Sequence, residues 1–211
     1  MNRHQLAALA GMIGPPLFVG LFTIEGLLRP DYHPLEMYIS ALSLGPRGWI
    51  QIVNFVVFGA LFLLFTRGVI AGFQNGKASK AGPIFLIIIA TCFLLSGPFV
   101  MDPMDTLRSQ MSVHGMLHGI FGGIVFSLMP VCCFVFFTRF HHDPKWRSLQ
   151  WWTLGAGMII SVAVVLLTIA TKFPVERSVF IKWLGLIQRT AILPFMIWLF
   201  IFALGLYKRG Q

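Results

Sequence analysis

Along the chain, apolar residues follow neither the alternation of a strand nor the one-sided stripe of a soluble helix. They fall in six continuous runs of about twenty, separated by short polar connections. The runs cover approximately residues 6–28, 49–70, 83–101, 114–137, 151–171 and 183–207. A helix of that length crosses the roughly 30 Å hydrocarbon core of a bilayer. The pattern therefore predicts an all-α, polytopic membrane protein: one domain over residues 1–211, built as a six-transmembrane-helix bundle. Continuous apolar runs exclude a transmembrane barrel, whose strands alternate between lipid-facing and lumen-facing residues. The first run is too long for a signal peptide and no small-residue cleavage site follows it, so it is expected to stay as a span.

Local features refine this picture. Gly14-Pro15-Pro16 predicts a kink in the first helix, because each proline removes a backbone donor. Arg29–Gly48 is the longest polar connection. Its Tyr32, Leu35, Tyr38, Ile39 and Leu42 suit a short amphipathic segment lying at the membrane interface. Trp146, Trp151 and Trp152 flank the fifth run, where aromatic belts sit.

Composition agrees with the pattern. Only 11% of residues are charged, against roughly 25% in soluble domains, and the mean hydropathy is +0.81. A net charge of +9 would suggest nucleic acid for a soluble protein, but here the cations lie mostly in loops and tails, so no nucleic-acid partner is expected. Lys77, Lys80, Arg139, Lys145, Arg147, Lys208 and Arg209 fall with Arg3 and Arg67 on the face shared by both termini. Arg29, Arg47, Arg108, Lys172, Arg177 and Lys182 fall on the other, with all acids but Asp143, Glu176 among them. The excess of cations places both termini in the cytoplasm of a multi-pass protein of the cell membrane. Cys92, Cys132 and Cys133 all lie inside apolar runs and read as small core residues. No CxxC pair, P-loop, GxSxG elbow, HExxH or dinucleotide fingerprint is present.

The candidate chemistry is organised around Ser112–Gly123, S-V-H-G-M-L-H-G-I-F-G-G. His114 and His118 stand four apart, on one helical face. Gly115, Gly119 and Gly123 repeat that spacing and predict a strip that a neighbouring helix, or a second copy of the chain in a homo-oligomer, approaches closely. With the alternating topology, Glu25, Gln51, Asn54, Asp102, both histidines, Gln188 and Arg189 collect at one depth, on five of six helices. Ionisable groups inside a membrane normally face the bundle and a partner. Arg189, which cannot shed its proton, is expected to pair with Glu25 or Asp102, snorkelling to the interface being the alternative. The histidines admit three roles. As metal ligands, His114 and His118, with Asp102, Asp105 or His33 completing a tetrahedral set, could hold zinc and activate a water. As proton carriers they would titrate near neutral pH; as structural groups they would hydrogen-bond between helices. A haem would need a facing histidine, and no other run contains one.

Several short motifs, in order, resemble a family of bacterial and archaeal membrane proteins catalogued as domain of unknown function 998 (DUF998). They are Gly14-Pro15-Pro16-Leu17-Phe18, Tyr38-Ile39-Ser40-Ala41-Leu42 with Gly48-Trp49, Asp102-Pro103, Leu117-His118-Gly119, and Gly185-Leu186-Ile187-Gln188-Arg189. The resemblance spans nearly the whole chain and implies a six-helix bundle with no established activity. It adds Ser40 to the site and groups it with Asp102, His118 and Arg189. A looser likeness is to seven-helix intramembrane metal hydrolases, in which a serine, an aspartate and an HxxxH pair surround zinc. This chain departs in having six runs, its pair on the fourth, and no third histidine within a run.

The resulting expectation is an outward-facing cavity lined by Glu25, Ser40, Asn54, Asp102, His114, His118, Gln188 and Arg189. It would bind or move a lipid or small anionic ligand, whose charge Arg189 neutralises. A zinc-dependent intramembrane hydrolase acting on lipid, and a structural or partner-binding membrane protein, are the alternatives, and whether the chain is an enzyme stays open.

Overall fold

Backbone groups inside hydrocarbon must be paired within their own segment, so apolar runs of this length fold as helices. The computed structural model describes residues 3–172 and 179–209, and no strand is present among them. Most of the Lys172–Lys182 connection, with Glu176 and Arg177 of the charge count, lies outside the described residues. Six main helices follow in order: α1 Arg3–Leu28, α2 Gly48–Gly72, α3 Ala81–Leu95, α4 Val113–His142, α5 Gln150–Lys172 and α6 Leu184–Arg209. All but α3 are long and apolar enough to cross a membrane. The third helix ends at Leu95 rather than near Met101 as its hydropathy suggests. Pro98 lacks an amide hydrogen and disfavours helix at Gly97, so the chain turns through Ser96–Phe99. At about 1.5 Å per residue, α3 falls short of a hydrocarbon core by itself. Pro15 and Pro16 lie inside α1, which continues on both sides of them.

Each helix packs on its neighbour in chain order, and α6 returns to α1, closing a ring. Neighbours alternate in direction. One end of the bundle holds the chain ends, where Lys145 meets Arg209 and Lys77 meets His142. That end is filled with aromatic rings: Phe136 and Phe140 on α4 and Phe202 on α6 lie 4.9 Å and 5.2 Å apart, and Trp146 stacks on Phe140. Arg139 and Arg209 lie over Phe73 and Trp146 at 4.9 Å and 4.1 Å, in cation–π geometry. Cys92, Cys132 and Cys133 are free and buried.

The other end is built differently. The Arg29–Gly48 connection folds back onto the helix ends, part of it buried and part exposed. Tyr32 is buried, and the short 3-10 helix Ile39–Ser43 is buried at every residue, leaving Leu35 exposed. It plugs the end of the ring. The close helix approaches also differ from expectation. A Cβ on Gly59 would meet Leu94 of α3, and one on Gly11 would meet Phe65 of α2, both at 2.5 Å. At Gly119, Gly122 and Gly123 a Cβ would meet nothing within 4 Å. Beyond Gly115, which abuts Asp102, the glycine strip of α4 therefore seats no helix of the same chain.

Candidate functional site

Arg189 holds the plug in place. It projects from the first turns of α6, and its Nη1 donates to the carbonyls of Pro34 (2.6 Å), Met37 (3.1 Å) and Gly185 (3.0 Å). Its Nη2 donates to the Tyr32 hydroxyl, which donates in turn to the Tyr38 carbonyl at 3.1 Å. Burial pushes the Tyr32 hydroxyl above the ordinary phenol range, although the Arg189 charge pulls the other way. Gly185 is required beside it, since a Cβ there would overlap the Pro34 and Met37 carbonyls. Leu186 N donates to Leu35 O at 3.0 Å, and Gln188 Oε1 accepts from Ile39 N at 2.7 Å. The guanidinium thus finds carbonyls and a phenol, not the carboxylate partner anticipated for it. A short loop whose carbonyls converge satisfies an arginine fork as well as an acid does.

Glu25 is taken up elsewhere. Only 4% exposed, it accepts from Arg47 Nε at 3.1 Å and pairs with Arg47 Nη2 at 2.5 Å and Arg29 at 3.5 Å, tying α1 to the start of α2. The Glu25 hydrogen bond raises the Arg47 guanidinium above its usual range. Asn54 is buried too, donating to Phe18 O at 3.1 Å and Gln51 Oε1 at 3.2 Å. Neither Glu25 nor Asn54 faces the open space described below.

Asp102 anchors the start of α4. Its two carboxylate oxygens accept from the Ser112 amide (2.8 Å) and hydroxyl (2.7 Å), while Ser112 Oγ caps the helix by accepting from Gly115 N at 3.0 Å. A Cβ on Gly115 would overlap that carboxylate. His118, one turn into the packed bundle and 9% exposed, has Nδ1 2.7 Å from the Phe99 carbonyl. A carbonyl only accepts, so the neutral ring carries its proton on Nδ1 and keeps Nε2 as an acceptor. His114 is exposed, its ring 5.4 Å from that of Phe99. One helical turn, about 5.4 Å of rise, lifts it clear of the core that holds His118. The two imidazoles and Asp102 do not converge, and the described residues hold no group of three or more His, Cys, Asp or Glu side chains placed to bind a metal ion. The donor set does not fit the zinc centre considered from sequence.

Between the plug, the α3–α4 connection and helices α4, α5 and α6 lies a cavity of ≈ 490 Å3, within the size of small-molecule sites. Of the eight expected site residues, Ser40, Asp102, His118 and Gln188 line it; Glu25, Asn54, His114 and Arg189 do not. Its roof includes Met101, Met104 and Met111, and its inner wall Phe18, Phe55 and Phe93. Gly119, Gly122 and Gly123 of α4 form one flank and Val164, Leu167, Thr168 and Thr171 of α5 the other. Gly119, Gly123, Thr168 and Thr171 are exposed, so the cavity opens sideways between α4 and α5. Sequence reasoning missed Tyr32, the methionine roof and the α5 threonines. Ser112, a serine directly before an apolar run, is a helix-start signal that could have been found.

Fold and composition together define a multi-pass helical membrane bundle. The family described as "Protein of unknown function (DUF998)" matches residues 12–205, and the chain belongs to it. No curated protein and no solved structure matches the chain.

Proposed function

We propose that residues 1–211 form one domain crossing the cell membrane six times with both termini in the cytoplasm, and that its outward-facing cavity binds or moves a membrane lipid. The observation that carries this reading is the sideways opening: a mostly apolar ≈ 490 Å3 space, polar under its roof, with exposed residues of α4 and α5 at its mouth. Meeting of the α2–α3 and α4–α5 connections with the end of α6 supports the even number of crossings, with α3 and the turn behind it as the short third one. The excess of cations on that face supports the orientation. Arg189 does not serve as an anion-binding group in this reading, because three carbonyls and a phenol already occupy its fork.

Protein extracted in mild detergent is expected to carry lipid detectable by native mass spectrometry, and Gly122→Leu, which fills the cavity from α4, is expected to lose it. Equal lipid on both proteins overturns the reading. Reporters fused at the C-terminus test the orientation: activity of a cytoplasm-dependent reporter is expected, and activity of a periplasm-dependent one contradicts it.

A further inference from the structure

Half of the polar side chains around the cavity offer it no hydrogen. Ser96 Oγ donates to Cys92 O at 2.8 Å, Thr168 Oγ1 to Val164 O at 2.8 Å, and Thr171 Oγ1 to Leu167 O at 2.9 Å. His118 spends its Nδ1 proton on Phe99 O, and both Asp102 oxygens are acceptors. What these five side chains offer a guest is lone pairs. The hydroxyls of Tyr38, Ser40, Thr106 and Ser127 and the Gln188 amide retain donors, but all five groups are neutral. Among the described residues lining the cavity, Asp102 is the acidic one and no Lys or Arg is present.

We infer that the cavity selects amphiphiles whose head group brings hydrogen-bond donors and carries no negative charge, such as a glycerol hydroxyl pair, and discriminates against the phosphorylated counterpart. This rests on the lipid-binding reading and replaces the anionic ligand suggested by Arg189. A donor-bearing head meets the acceptors directly. A phosphate there would be desolvated beside a carboxylate, with neutral donors alone and no cation to offset its charge.

The test uses two probes with the same chain and glycerol: 1-oleoylglycerol and oleoyl lysophosphatidic acid. Each is titrated against delipidated full-length protein and followed by native mass spectrometry, for the wild type, for Gly122→Leu and, as a second blocking variant, Gly119→Leu. The expected result is that 1-oleoylglycerol binds at least about tenfold tighter than its phosphate, and that both blocking variants lose it. Thr168→Lys, at the exposed mouth, is expected to narrow or reverse that preference. Equal or tighter binding of the phosphate, still lost in the blocked variants, overturns the head-group inference and leaves the lipid cavity standing. Binding of both probes that the blocking variants do not alter overturns the cavity reading as well.

Discussion

The plug clamp and the α4–α5 flank both place glycine and polar side chains where a bundle helix would otherwise carry leucine, and they use them in opposite ways. In the clamp the protein itself supplies the partners: Arg189 Nη1 and Nη2 have three carbonyls and Tyr32, Gln188 Oε1 has the Ile39 amide, and Gly185 has two carbonyls at its surface. Along the flank, Gly119, Gly122 and Gly123 face space, and Thr168 and Thr171 keep unused lone pairs. Polar residues in a membrane bundle thus divide by what remains unsatisfied. Saturated ones hold the architecture; the rest are available to a guest.

The sharpest way to break this contrast is to remove the clamp. Arg189→Ala leaves loop carbonyls and the Tyr32 hydroxyl without their donor, and is expected to cost about 3 kcal/mol or more, read as a lowered thermal unfolding midpoint in detergent. Arg189→Lys should recover only part of it, because an ammonium cannot reach the same fan of acceptors. A comparison of glycines comes next. Gly185→Val drives a side chain into the Pro34 and Met37 carbonyls, for about 1–3 kcal/mol. Gly122→Ala points into open space and should stay within about 0.5 kcal/mol of wild type, or gain from helix propensity. Equal losses in the two would mean that the flank is packed after all.

The histidines make a smaller test of the same idea. His118→Ala leaves the Phe99 carbonyl unpaired in the bundle and should lower stability by about 1–3 kcal/mol, whereas His114→Ala should change it by less than about 0.5 kcal/mol. Asp102→Ala removes the acceptor for Ser112 and should cost about 1 kcal/mol, with faster amide exchange confined to the first turn of α4.

The helices were legible because hydrocarbon permits so few alternatives: long apolar runs gave α1, α2, α4, α5 and α6 nearly to their ends. The end of α3 was misjudged, since hydropathy continues past Leu95 while Ser96-Gly97-Pro98 ends the helix. Depth along the helices also groups Asp102, His118 and Gln188, which line one cavity. What depth cannot convey is which neighbour a side chain meets. Sequence points Arg189 towards an acid because backbone carbonyls leave no mark in composition. Likewise, the glycine spacing of α4 reads the same whether a helix or a void lies beside it. His114 and His118 share a face by spacing, yet one turn of rise separates surface from core.

The claim on which the account rests is that the gap between α4 and α5 admits an amphiphile from the bilayer while the plug clamp does not. Photo-crosslinking in reconstituted membranes with a diazirine-bearing oleoylglycerol, mapped by peptide mass spectrometry, tests it directly. The account predicts adducts concentrated on Gly119–Ser127 of α4 and Val164–Thr171 of α5, absent from the Pro34–Met37 stretch held by Arg189, and lost in Gly122→Leu. Adducts spread over outward-facing residues such as Met158, Ile159 and Val162, with no enrichment at the gap, would contradict it.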